Sequence, residues 1–539
     1  MVLLLVLIVS VVLALSAYTF CDLMLTHYEG AQYAGRATQA RLLVDSGIDR
    51  TRAMLALPRD SLFSMGGVYN NPAEFQAVNA APNADPQLNG AYTIIAPMVN
   101  EEGYYEGIRF GLEDLSTRLN LNYLVIADTL QEGAGRALLL SVPGMTEDVA
   151  DAILDFIDSD EIPRDFGAEN DYYSGLGYSA KNGPLDTLEE LLEVRGVTPS
   201  LLYGLDINRN GVIDPYEQSL SSGGFDPGLE RGWAPYITLA SKEANRSANG
   251  LQRVYVNEED LQLLSDNLSA AEVPEEWITF VLAMRTGSPY TGEDEGEYVS
   301  SGKFDLTAQG NNNITQILDL VGSKVQVTFD GSDEAVILNS PAALELGALN
   351  LQLPVIMDKL TVNPGTELPG RININQASRA VLLGIPGMTE ELADMILQAR
   401  VGNEETDNAN FQFETWLLTE GVLLTDGLDE NGEIPGMPDL EKMKLLSPYI
   451  CAGGDVYAAQ VIGFFQEGAV SSRVEVVFDG TSPTMTVLLW RDLSHLGRGF
   501  SVDVLGVGGV GLGVGSSGLN TGAGLGGMSG RGLPAAGIR

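Results

Sequence analysis

The sharpest chemical signal in the chain is the run Asp206-Ile-Asn-Arg-Asn-Gly-Val-Ile-Asp-Pro-Tyr-Glu217. Its oxygen donors fall at Asp206, Asn208, Asn210, the carbonyl of Val212, Asp214 and Glu217, the ligand positions of an EF-hand calcium loop. Gly211 stands where such a loop must turn sharply, and Ile213 is suited to a short β contact. Two neutral amides among the ligands lower the charge at the site, which predicts a weaker, structural calcium site of the extracellular type. The plainer alternative is an Asn/Asp turn that binds nothing. A second candidate lies in DFIDSDEIPRDFGAENDYY, residues 155–173, where Asp158, Asp160, Glu169 and Asp171 crowd one loop that would repel itself without a cation. Its spacing follows no standard loop, so a second calcium site stands there beside a solvated acidic turn.

Other chemistry is hard to place. The sequence holds no GxSxG elbow, phosphate-binding GxxxxGK[ST] loop, CxxC pair or HExxH helix. Gly506-Val-Gly-Gly-Val-Gly511 fits GxGxxG but sits in a glycine-dominated tail with no βαβ unit around it. Two histidines, His27 and His495, cannot build a His-rich zinc site. Cys21 and Cys451 lie far apart in different settings, so no disulfide is expected. The chain reads as a non-enzyme.

Charge narrows the partners further. Lys and Arg number 30 against 73 Asp and Glu, a formal net charge of −43. Such a surface repels phosphate backbones and draws divalent cations, so nucleic acid is not an expected partner. Hydrophobic residues make up 45%, enough for real cores, and 539 residues suggest two to four folded units.

These sites need elements to hold them. Met1–Phe20 carries no charge and, at about 1.5 Å per residue, spans roughly one hydrocarbon core as a helix. Asp22 and Glu29 follow it before the first basic residue, Arg36, which predicts a single pass with an extracytoplasmic body. Helical spacing then continues to Pro58, with Leu42, Leu43, Ile48, Ala53, Met54 and Leu57 on one expected stripe. Strand-like runs fill 90–118, and LVGSKVQVTFDGSDEAVILN reads as a hairpin around an Asp-Gly turn. Three further strands follow Cys451, and from about Val504 the glycine tail is expected to be flexible.

An internal repeat joins the two halves. LNLNYL and LLLSVPGMTEDVADAILDFID return as ININQASRAVLLGIPGMTEELADMILQAR, and APYIT at 234–238 returns as SPYIC at 447–451. RVYVNEEDLQLLSDNL at 253–268 is a third, weaker relative. Each strong copy looks like a helix-hairpin-helix of the SAM-like kind, a motif that often binds DNA through backbone amides. Here Thr146 and Thr389 replace the second turn glycine, and Glu147, Asp148, Asp151, Glu390, Glu391 and Asp394 would oppose a phosphate. Packing or protein docking is the preferred role.

Taken with the uncharged first helix, the segments LEDLSTRLNLN, VADAILDFIDSDEIPRDFGAENDYY, KNGPLDTLEELLEVRGV, RININQASRAVLLGIPGM and the closing strands up to VLLWRDL resemble the K subunit of type II secretion systems, a minor pseudopilin. The resemblance implies an α+β fold. A long N-terminal transmembrane and amphipathic helix would pack on a pilin-like antiparallel sheet, with a large α-helical domain inserted between its strands. It also implies calcium in the helical domain, the I and J minor pseudopilins as partners, secreted proteins as candidate further partners, and a bacterial inner-membrane anchor with a periplasmic body. Leu5 replaces the glutamate that major pilin-type subunits carry, as in K members, which favours a cap on the fibre. The expected division is 1–20 membrane segment, 21–57 amphipathic helix, 58–118 first strands, 119–239 helical module with the calcium loop, 240–370 added mixed region, 371–451 second helical module, 452–503 last strands and 504–539 tail. A membrane-anchored DNA-uptake protein and a calcium-dependent scaffold or adhesion protein are the alternatives.

Overall fold

The computed structural model describes residues 2–220, 230–292, 294–298, 303–400, 409–425, 436–468, 470–482 and 484–507. Helix α1 runs unbroken over Val2–Leu55, and Pro58 stands just beyond its end. Residues 2–35 are exposed throughout, and α1 is the one helix among the described residues long and apolar enough to cross a membrane. Its buried stripe is Ala40, Leu43, Val44, Gly47, Ile48, Thr51 and Met54. The stripe is rotated from the expected one: Leu42, Ala53 and Leu57 face outward. Small residues decide this, because Gly47 lies against the Tyr92 ring and Val461, where a larger side chain would hold the helix away.

The sheet that receives α1 is built from both ends of the chain. Its strands are β1 (Val78–Ala81), β2 (Gly90–Val99), β3 (Tyr105–Phe110), β4 (Glu113–Asp114), β5 (Val456–Phe465), β6 (Ser471–Asp479) and β7 (Thr486–Asp492). The order is β1-β2-β5-β6-β7, all antiparallel, with β3 beside the end of β2 and β4 beside the start of β5. Alternation along β2 and β5 gives two apolar faces. Tyr92, Ile94 and Val461 pack with Val44 and Ile48 of α1. Ala91, Ile95, Ile462 and Phe464 pack under a strap that follows β7, through Phe500 and Leu505. Val504–Val507 therefore belong to the core layer, whereas the rest of the glycine tail, with Gly508–Gly511 of the GxGxxG run, lies outside the described residues.

Everything between β4 and β5 forms a helical body. The buried Asp114 carboxylate ties its two ends together, accepting from Ser116 N (2.8 Å) on the outgoing chain, Gly454 N (2.7 Å) on the returning chain and Asn373 Nδ2 (2.8 Å). Burial raises its pKa, while these donors pull it back down.

The body repeats one frame three times. Each copy opens on a two-residue strand paired in parallel with its own end: Leu119–Asn120 with Ile237–Thr238, Val254–Tyr255 with Leu360–Thr361, and Ile372–Asn373 with Ile450–Cys451. An asparagine two residues further on clamps the loop it faces. Asn122 donates to the Leu185 and Leu239 carbonyls, Asn257 to Ile314, and Asn375 to Phe411 and Ala452. Two helices follow: α2 (Ala134–Leu140) and α3 (Glu147–Ile157), α4 (Leu261–Ala270) and α5 (Glu275–Thr286), and α6 (Arg379–Leu383) and α7 (Glu390–Arg400). In the outer copies the turn passes through Gly144 (φ +70°) and Gly387 (φ +84°), left-handed positions that favour glycine. The matching pairs Arg136–Asp151 (3.0 Å) and Arg379–Asp394 (2.9 Å) brace the two helix pairs identically. The middle of the chain, expected as an added mixed region, thus holds the weak relative as a full copy. It adds a three-stranded sheet that includes the anticipated hairpin, Lys324–Thr328 with Ala335–Asn339. Cys21 is exposed, Cys451 is buried, and both are free.

Close approach of α1 to β5 yields a test. A Cβ on Gly463 would overlap the Ala40 carbonyl oxygen and press on Leu43 Cβ and Val44 N, each at 3.0 Å. Gly463→Ala is expected to cost about 1–3 kcal/mol through overpacking, read as a lower chemical-denaturation midpoint of the detergent-solubilised chain.

Candidate metal centres

The acidic loop after α3 brings Asp158, Asp160 and Glu169 together. One carboxylate oxygen from each lies within 4.8 Å of the others, the only such group among the described residues. Asp158 caps the C-terminal end of α3 and Glu169 precedes the short helix Asn170–Tyr173, so two helix ends fix the loop. Asp171 is exposed and stands outside the group. Glu169 is 5% exposed, and neither of its oxygens has a hydrogen-bond partner; Asp158 Oδ1 is likewise unpartnered. Buried lone pairs without donors are costly, and a hard cation supplies what they lack. Burial first, then repulsion from Asp155, Asp158, Glu161 and Asp160, pushes Glu169 up to about 7.

The sequence reading missed the groups that make this loop foldable without an ion. Arg164 donates to Asp155 (2.8 Å) and Asp158 (2.5 Å) and reaches Asp128 at 3.3 Å. Glu161 is held by Asn170 Nδ2 and Asn182 Nδ2. The signal was there in Arg164 itself, a lone cation inside an acidic run.

The loop 206–217 is knitted by its own amides. Asp206 accepts from Asn210 N (3.0 Å) and Gly211 N (2.8 Å), and Glu217 from Asn208 N and Asp214 N at 3.0 Å. Asn208 and Asn210 both donate Nδ2 to Asp214 Oδ2, at 2.8 and 3.1 Å. Glu217 is buried at the start of the helix Pro215–Leu220, Gly211 turns at φ +79°, and Asn208 Oδ1 is enclosed without a partner. Val212 anchors the loop through its N–H to Asn210 Oδ1 (2.8 Å). No β-bridge forms at Ile213. Burial, set against the two backbone donors and reinforced by Glu217, raises Asp206 to about 6. A central cation would replace the amide donors with their oxygens, by rotation of Asn208 and Asn210. The three carboxylates of this loop do not converge as the acidic cluster does. Spacing favoured the loop; geometry favours the cluster.

Fold and sites together define an α+β protein with one candidate membrane helix, a sheet built from both parts of the chain that flank the body, and a large helical body with candidate cation sites. Residues 117–206 match the family model described as type II secretion system (T2SS), protein K, and over these residues the chain is a homologue of that protein. The matched stretch spans the first copy up to Asp206, including the acidic cluster. No curated protein matches the chain. Among solved structures, the GspK-GspI-GspJ complex from the enterotoxigenic Escherichia coli Type 2 Secretion System aligns at 12% identity and a TM-score of 0.35, over 87% of this chain and 98% of that one. A likeness that low carries no argument about this chain's geometry.

The raised Glu169 pKa fixes a sign. A carboxyl that holds its proton more tightly folded than unfolded makes stability fall as pH rises from about 4.5 toward about 7. The cation-free protein is therefore expected to lose melting temperature between pH 5 and 8. Calcium should flatten that slope, and Glu169→Gln should flatten it without calcium; thermal unfolding at each pH, with and without chelator, checks this.

Proposed function

We propose that this protein is a minor pseudopilin at the tip of the type II secretion pseudopilus, a non-catalytic assembly component for export across the outer membrane. The observation that carries the reading is the protein K match over residues 117–206, lying within a body inserted between the strands of the sheet on which α1 packs. In this reading α1 anchors the subunit in the inner membrane by a single pass, and its exposed apolar length meets neighbouring subunits. The sheet acts as the pilin-like unit, and the body sits in the periplasm, too bulky to be buried within a fibre. The I and J minor pseudopilins are the proposed partners, and GspI and GspJ accompany GspK in the solved Escherichia coli complex.

Calcium is the proposed ion at both centres, through Asp158, Asp160 and Glu169, and through Asp206, Asn208, Asn210, the Val212 carbonyl, Asp214 and Glu217. All-oxygen donors, carboxylate-rich and without sulfur or imidazole, suit a hard cation. The three copies are proposed as packing modules of helix-hairpin-helix type. Arg136 and Arg379, on the first helices of the two outer copies, are engaged by Glu147 and Asp151, and by Glu390 and Asp394. That favours protein docking over DNA.

Deleting the gene while leaving the secretin intact is expected to abolish export, and tagged full-length protein should co-purify with I- and J-type pseudopilins. Retained export would overturn the assembly role. Calorimetry on the detergent-solubilised chain should show calcium binding, with Glu169→Gln and Glu217→Gln each removing one event. Calcium at a hundredfold its Kd should stabilise the fold by about 2.7 kcal/mol. Absence of heat, together with a melting temperature indifferent to chelator, would remove the calcium reading.

A further inference from the structure

The two edges of the seven-stranded sheet are built differently. On one side β1 is four residues long, its register with β2 shifts between Asn79 and Ala81, and its exposed residues are Asn79 and two alanines. Short, irregular edges of this kind resist pairing with other chains. On the other side β7 runs for seven residues and leaves Val487, Leu488 and Trp490 exposed at 37%, 49% and 37%. Val487 and Trp490 stand opposite Phe478 and Val476, on the face that carries α1, and Leu488 is the extra residue of a bulge between them.

Beyond the bulge the outer edge of β7 is open. Leu493 N donates to the Arg473 carbonyl, so by the alternation of an antiparallel ladder the Leu489 and Arg491 amides face β6. Those of Trp490 and Asp492 therefore point away from it. Neither their N–H nor their C=O groups find a partner among the described residues. Such a row is matched by one kind of occupant, another extended backbone.

Helix α1 adds the charge of that occupant. Its Arg36, Arg50 and Arg52 are ion-paired with Glu467, Glu74 and Asp49. Arg41 is the one arginine of α1 without an ion pair among the described residues, and its exposed guanidinium lies 4.8 Å from the centre of the Trp490 ring. In a chain of net charge −43, an exposed arginine left over beside an open apolar edge suits a partner's carboxylate. A second copy of this chain does not fit. Two β7 strands paired antiparallel are related by a two-fold axis through the sheet, which reverses one α1 against the other, and one membrane cannot anchor both.

We infer that the β7 edge takes up an extended strand from a different subunit, paired at Trp490 and Asp492, with apolar side chains over Val487 and Trp490 and a carboxylate at Arg41. The inference rests on the assembly reading and adds a contact to it, a sheet that continues across the subunit boundary. Backbone hydrogen bonds supply the strength of such a contact, and the side chains that meet Trp490 and Arg41 supply its choice of partner.

Hydrogen exchange by mass spectrometry, with fragmentation that resolves single amides, tests this on the full chain in detergent, alone and with the I- and J-type pseudopilins. The Trp490 and Asp492 amides are expected to exchange fast in the isolated chain and about tenfold more slowly in the complex. Arg41→Glu and Trp490→Ala should each weaken the complex about tenfold without lowering the melting temperature of the isolated chain. Trp490→Pro, which removes an N–H that β6 does not use, should weaken it further than Trp490→Ala. Slow exchange of both amides in the isolated chain would show that the chain covers its own edge. A complex that forms without slowing them would show contact without strand addition. Either result overturns the inference and leaves the assembly reading standing. If no complex forms with either pseudopilin, the assembly reading falls and the inference with it.

Discussion

The contact on which the rest of the molecule depends is the buried carboxylate of Asp114. It sits on β4 at the point where the chain leaves the sheet, and it accepts from both the outgoing and the returning backbone. An insertion as large as the helical body can be tolerated between two strands only if its ends lie close together, since loop length itself costs little once closure is made. Asp114 makes that closure, and Asn373 extends it into the third copy. A Cβ on Gly454 would overlap Ser116 Oγ, so the two chain segments are already as close as backbone permits. The sheet therefore behaves as one sheet, although its strands come from opposite ends of the sequence.

Charge explains why so acidic a chain can have so many buried polar links. Its few cations are engaged where carboxylates are enclosed: Arg164 among Asp128, Asp155 and Asp158, Arg371 between Glu243 and Glu414 at 2.8 Å each, and Arg118 on Glu113. Breaking such a pair leaves a charge desolvated, a far larger cost than losing an exposed pair. The acidic excess is consequently pushed outward and into the acidic cluster of Asp158, Asp160 and Glu169, which could hold a metal ion. Around Glu169 no arginine among the described residues reaches the enclosed oxygens, and burial with the neighbouring carboxylates favours the protonated acid instead.

Much of this could be read from residue order, and the exceptions have physical causes. The long first helix, the split strands, the hairpin at 324–339 and the two strong copies all follow from local periodicity, turn residues and repetition. The helix stripe was displaced because periodicity marks large apolar residues, while packing on a sheet selected Ala40 and Gly47. The middle copy was faint because its turn uses Glu272 (φ +54°) and Pro274 in place of Pro-Gly, yet Asn257 keeps the clamp. In the acidic loop Asp158, Asp160 and Glu169 come together and Asp171 does not, while Arg164 and Asp155 act through tertiary proximity that spacing cannot express. The strap was only partly legible: Phe500 lay in the stretch expected as the last strands and Leu505 in the glycine tail, and neither setting told of its burial against the sheet.

The three parallel strand pairs have a consequence for how the chain becomes structured. Each copy closes on itself, Leu119 with Ile237, Val254 with Leu360 and Ile372 with Ile450, so the strand pair that frames it can form once its own stretch has emerged. The sheet is different. Strand β2 pairs with β5 across the whole body, and β6, β7 and the strap follow later still. Contacts between distant parts of a chain form slowly, and domains tend to fold as units in order of synthesis. The body is thus set to form three framed copies in order, which then share one core, while the surface that receives α1 is completed last. During that interval α1 can meet β2 but not β5 and β6, whose arrival completes the surface beneath its buried stripe.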